Sequence, residues 1–169
     1  MRQIKIYDKN TLDSSTIISI HNLIVTSFLR RWGIYRNDVT LGFIKSRLCA
    51  VAFDDNQIIG YAGLEDSGEF VNGCAVENVN GIYLLASLVK KLLQYSGKQG
   101  YLYFAHSPKI DKAIPLTAYI ATNGYLSITN EVIKKKYNSK IIVLHRINFF
   151  SENKISKNDL LNKLNNIES

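Results

Sequence analysis

Apolar residues recur at helical spacing through "DSSTIISIHNLIVTSFLRRWG". Ile17, Ile20, Ile24 and Phe28 form one line, and Ile18, Val25, Leu29 and Trp32 widen it. A repeat of three to four residues places such side chains on one face of a helix. Asp13 or Ser14 can cap that helix and Gly33 can end it. Before it, "RQIKIY" alternates apolar and polar residues and reads as a strand. A shorter helix is predicted from Asn37 or Asp38 to a point before Leu48. In "LCAVAFDDNQIIGYAGLED" two apolar runs flank Asp54, Asp55 and Asn56, which marks a hairpin. "EFVNGCAV" is a further strand. Its polar Asn72 and small Gly73 signal a bulge or a close backbone approach.

The second half continues the alternation. "IYLLASLVKKLLQYSG" carries Leu84, Leu85, Leu88, Leu92 and Tyr95 on one side of a predicted helix that Gly97 or Gly100 closes. "YLYFAH" reads as a strand. "DKAIPLTAYIATNG" reads as a short helix ending at Gly124, with Pro115 confined to its first turn. "YLSITNEVIKKKY" and "KIIVLHRINFF" are two more strands joined near Asn138 and Ser139. In the tail, Ser156 with Asp159 three residues on can cap an exposed helix, although the segment can equally be loose. The order is strand, helix, helix, three strands, helix, strand, helix, two strands. It predicts an α/β domain over residues 1–150, with a mixed sheet of six or seven strands and helices on both faces. Residues 151–169 form a tail.

Composition narrows the class. The chain has 169 residues, 46% of them apolar, enough for one sizeable core. Its two cysteines, Cys49 and Cys74, lie in apolar runs and read as buried free thiols, which fits a reducing cytoplasmic compartment. No metal site is expected. "MRQIKIYDKN" lacks an apolar signal core, and no run is long enough to span a membrane. The net charge of +7 admits an acidic ligand or a nucleic acid. The lysines are scattered apart from Lys134–Lys136, so a nucleic acid partner ranks last.

The junction "GCAVENVNGIYLL" carries the functional signal. A strand ends at Val76, and the loop Glu77–Asn78–Val79–Asn80–Gly81–Ile82–Tyr83 leads into a helix. A helix start has unpaired N–H donors and a partial positive charge, so it attracts phosphate. Glycine there lets the ligand approach. This junction and the element order resemble the GCN5-related N-acetyltransferase family over roughly Ile4 to Phe149. The central part is similar to the acetyltransferase-like domain of citrate lyase ligases. The family's loop is Arg/Gln-x-x-Gly-x-Gly/Ala. Here Gly81 supplies one glycine, Tyr83 stands at the second, Asn78 replaces the arginine or glutamine, and the loop is about one residue short.

The resemblance implies an acyl-CoA-dependent N-acyltransferase. Acetyl-CoA or another acyl-CoA would be held by Cys74, Ala75, Val76, Asn78, Asn80, Gly81, Ile82 and Tyr83, and the acyl group would pass to a small-molecule or protein amine. It also implies that the fourth and fifth strands splay apart, with pantetheine pairing along the exposed edge. A homodimer through the last strands would suit the family. A tyrosine four residues before a Gly-Phe protonates the leaving thiolate in that family. Here Gly124–Tyr125 replaces Gly-Phe, Ile120 takes the tyrosine's place and Tyr119 is its neighbour. Candidate bases at strand ends are Glu65, Glu69 and Glu77, with His106 at the end of the fifth strand. The acceptor rim implied by the fold includes Trp32, Tyr35, Arg36 and the Lys134–Lys136 run. A second reading is a non-catalytic protein of the same fold, acting as a sensor of coenzyme A thioesters or as a protein-binding module.

Overall fold

The computed structural model describes residues 1–32, 40, 43–77, 79–97, 99–106, 112–137 and 140–168. The chain divides into two compact units, Met1–Lys98 and Gln99–Ser169.

In the first unit β1 (Arg2–Asp8), β2 (Leu48–Asp54), β3 (Gln57–Leu64) and β4 (Phe70–Ala75) form an antiparallel sheet in sequence order. The β2–β3 hairpin turns through Asp55 and Asn56, with Asp54 facing Gln57 and Asp55 at φ 53°. This is the tight turn those residue types predict. Helix α1 (Ser14–Trp32) lies on one face of the sheet and helix α2 (Gly81–Ser96) on the other. The Asp13 carboxylate accepts from the Thr16 N–H at 2.7 Å and caps α1.

Ile20 and Ile24 are fully buried, whereas Ile18 and Leu29 are exposed, so the buried stripe of α1 is narrower than the sequence predicts. Ser27 is buried in their stead. Tyr95 of α2 is likewise exposed, while Leu84, Leu85, Leu88 and Leu92 are buried as expected. Gly97, in the left-handed conformation, ends α2. Gly60 lets α2 sit close on β3, since a methyl group there would meet Leu84 Cδ2 at 3.0 Å. Thr40 and residues 43–45 are helical and Ser46 and Arg47 are not, so the helix predicted to end before Leu48 does stop short of it; its residues 37–39, 41 and 42, with Gly33, Tyr35 and Arg36, lie outside the described residues.

In the second unit β5 (Tyr101–His106), β6 (Leu126–Tyr137) and β7 (Lys140–Phe149) form an antiparallel sheet in the order β5-β7-β6. The described strands thus number seven and are hydrogen-bonded as two antiparallel sheets. Helix α3 (Ala113–Thr122) contacts β6 and β7, and Pro115 falls in its first turn, where a missing N–H costs nothing. After β7 the chain bonds back to the α3–β6 corner: Ser151 N–H donates to the Tyr125 carbonyl, and Ile155 N–H to that of Gly124. Ser156 then caps α4 (Lys157–Glu168) by accepting from the Asp159 N–H at 3.1 Å. Leu160 and Leu164 of α4 are fully buried.

Candidate functional site

The end of β4 and the start of α2 make one continuous feature. Asn72 has φ 56°, and the β3 register jumps so that Asn72 and Gly73 together oppose Ala62. This is the bulge that the polar residue and the glycine predict; the extra residue bends the strand just before Cys74. Beyond it Tyr61 pairs with Cys74 and Gly60 with Ala75, and Val76 N–H donates to the Ile59 carbonyl at 3.0 Å. Antiparallel pairing alternates, so Cys74 and Val76 turn their backbone groups toward β3 and Ala75 turns its own away. Of these three residues, Ala75 presents its N–H and C=O to the free edge of β4, which is an edge strand of its sheet.

Asn80 occupies the N-cap position of α2, but its side chain makes no capping hydrogen bond. The first-turn amides of α2 therefore lack a side-chain acceptor. A methyl group built at Gly81 would meet nothing nearer than the Ala75 Cβ at 3.9 Å, and the Gly81 φ is unstrained. The protein's own packing does not require a glycine here. Tyr83, at the position of the family's second glycine, is 60% exposed, and no atom of its ring comes within 4 Å of a methyl built at Gly81. Ile82 is half-buried beside it, and Asn78 lies outside the described residues.

Three carboxylates were candidate bases. Glu65 and Glu69 pair through their backbones across the β3–β4 turn, at the far end of β4 from the loop. A six-residue strand spans about 20 Å, so neither stands near the start of α2. Glu77 does, and its Oε1 is 3.1 Å from Arg30 Nε of α1. The two enclose one end of an open depression of about 370 Å³, lined also by Asn22, Leu23, Thr26, Ser27 and Val76. Cys74, under this wall, has its thiol pushed up to about 12 by burial, with Ser27 and Arg30 opposing the rise. The Ser27 hydroxyl is itself buried, with no hydrogen bond of ordinary geometry. A thiol so hard to ionise is a poor nucleophile.

The sequence did not single out Asn22, Thr26, Ser27 or Arg30. Asn22, Thr26 and Arg30 follow one another at four-residue intervals, a polar line on an otherwise amphipathic helix that is visible in retrospect.

The other two candidates belong to the second unit. His106 closes β5, and its side chain lies outside what the structure describes. The Tyr119 ring packs at the turn after α3, its Cε2 3.3 Å from where a methyl on Gly124 would stand. Among the described residues no group of His, Cys, Asp and Glu is arranged to hold a metal ion, and no helix is long and apolar enough to cross a membrane.

The fold is that of the GCN5-related N-acetyltransferases. Three solved structures share it. The first is an acyl-CoA N-acyltransferase from Pseudomonas aeruginosa, 15% identical, with a TM-score of 0.63 over 88% of this chain and 99% of that one. The second is an N-acetyltransferase from Staphylococcus aureus Mu50, 12% identical, with a TM-score of 0.61 over 90% and 99%. The third is the ribosomal-protein-S18-alanine N-acetyltransferase from Escherichia coli, 13% identical, with a TM-score of 0.60 over 94% and 98%. No protein-family model matches the sequence, and no curated protein sequence matches it significantly.

Proposed function

We propose that the protein is an acyl-CoA-dependent N-acyltransferase that moves an acetyl or other acyl group to an amine by direct attack on the thioester. The observation that carries this reading is the uncapped first turn of α2, where a methyl built at Gly81 would meet the Ala75 Cβ at 3.9 Å and no atom of the exposed Tyr83 ring within 4 Å. Uncapped N–H donors at the positive end of a sixteen-residue helix favour a diphosphate. Asn80, Gly81, Ile82 and Tyr83 supply this anchor through their backbones, and the open edge at Ala75 takes the pantetheine amide. Acyl-CoA contributes an activated thioester; the chain holds and orients it. Glu77 receives one proton from the acceptor's ammonium. The nitrogen then forms a C–N bond as the C–S bond breaks, and the second proton lost by the nitrogen ends on the departing thiol.

A thermal melt with acetyl-CoA tests the anchor. Ligand at about a hundred times its Kd adds roughly 2.7 kcal/mol to the folded state, so the melting temperature rises by several degrees. No rise with acetyl-CoA or coenzyme A overturns the reading. A rise with no thiol release across a panel of amines supports the sensor instead.

A further inference from the structure

The wall of α1 facing Glu77 carries hydrogen-bonding capacity that the transfer reaction alone leaves unused. Asn22 and Thr26 have no side-chain partner among the described residues. Arg30 approaches Glu77 through Nε, 3.1 Å from Oε1, and both side chains are open enough to solvent, 44% and 65% exposed, to take a further partner. Below them the buried Ser27 hydroxyl faces the Cys74 thiol and makes no hydrogen bond of ordinary geometry. Leu23 and Val76 supply an apolar side to the same depression.

We propose that this depression receives an α-amino acid with an aliphatic side chain as the acyl acceptor. Its carboxylate would lie on Arg30, its amino group at Glu77, and its side chain against Leu23 and Val76. The inference rests on the transferase reading and names its substrate class. Size argues for a small acceptor, since about 370 Å³ lies at the low end of the roughly 300–1,000 Å³ typical of small-ligand sites. Charge argues for a zwitterion. The guanidinium and carboxylate are already 3.1 Å apart, and an amino acid presents an anion and a cation one carbon apart, so it can bridge them. A diamine or polyamine would set a second cation against Arg30. An acid lacking the amine would leave Glu77 facing a like charge.

Calorimetric titration of the full chain with the common L-amino acids, in the absence of any thioester, tests this. At least one aliphatic amino acid should bind saturably. Its decarboxylated amine and its deaminated acid should each bind about 10- to 100-fold more weakly, the loss expected for one charged hydrogen-bonding partner. Arg30→Gln and Glu77→Gln should weaken binding similarly, and Arg30→Lys should restore part of the loss. Because the ion pair is half-exposed, all three variants should melt near the parent chain. The proposal is overturned if no amino acid binds, if the bare amine binds as well as the amino acid, or if Arg30→Gln binds like the parent. An acetyl-CoA melt run in parallel separates the two ideas. Stabilisation by acetyl-CoA without amino acid binding defeats the acceptor and leaves the transferase standing. The reverse supports the amino acid site and defeats the transferase.

Discussion

A methyl group built at Gly124 would stand 2.7 Å from the Ile155 carbonyl oxygen, and the residue has φ +87°. Both facts bar a side chain. Gly124→Ala is therefore expected to cost at least about 2 kcal/mol, read as a lowered urea midpoint. Gly81 is different in kind. Its nearest neighbour would be 3.9 Å away and its φ is ordinary, so Gly81→Ala should shift stability by less than about 1 kcal/mol. The same change places a methyl where the diphosphate is proposed to lie, and acetyl-CoA affinity should fall about tenfold or more. Equal affinity would show that the anchor lies elsewhere. The sequence marks both positions as glycine but cannot tell them apart, because the difference is set by Ile155 and Ala75, both distant in the chain or across a turn.

At the scale of elements, α1 shows how a local signal and a packed surface differ. Its start is written locally. Asp13 precedes the apolar repeat, and its carboxyl is held below the ordinary range mainly by the hydrogen bond from Thr16. A carboxyl with a lowered folded pKa stabilises above its unfolded value, about 3.9, and loses that contribution as pH falls through the folded one. Asp13→Ala should therefore melt below the parent chain at pH 7, and the gap should close as the pH falls through the lowered folded value. A gap that persists in acid would mean that the cap does not act through its charge. The face of α1 is not written locally. Ile18 and Leu29 fit the helical repeat yet remain exposed, and Ser27 is buried. The sheet surface offered by β3 and β4 decides which part of the stripe is covered. The same holds at β4, where Asn72 and Gly73 announce a bulge but only the pairing with β3 shows that Ala75 is the residue left facing outward.

At the scale of the whole molecule, residues after β7 are built into the second unit. Two backbone bonds tie Ser151 and Ile155 to the α3–β6 corner, Lys112 Nζ donates to Asn165 Oδ1 at 3.0 Å, and Leu160 and Leu164 are fully buried. Leu164→Ala should cost about 2–5 kcal/mol, as for other fully buried leucines, with faster amide exchange in Gln99–Ser169. A loss below about 0.5 kcal/mol would show that α4 contributes nothing to that unit. The cap at Ser156 suggested an exposed helix, but Leu160 and Leu164 are fully buried, because only the packed unit shows that a surface awaits them.

The sequence by itself determined the element order, the bulge at Asn72, the cap at Asp13, the hairpin turn at Asp55 and the glycine at the head of α2. Each depends on a few adjacent residues and on backbone preferences that act within one turn. Tertiary structure alone decided that Arg30 of α1 stands against Glu77. It also kept the Tyr83 ring more than 4 Å from a methyl built at Gly81. Those outcomes depend on where a strand ends relative to a helix nearly fifty residues earlier, and contact between remote side chains is fixed by packing and strand register, which no local preference encodes.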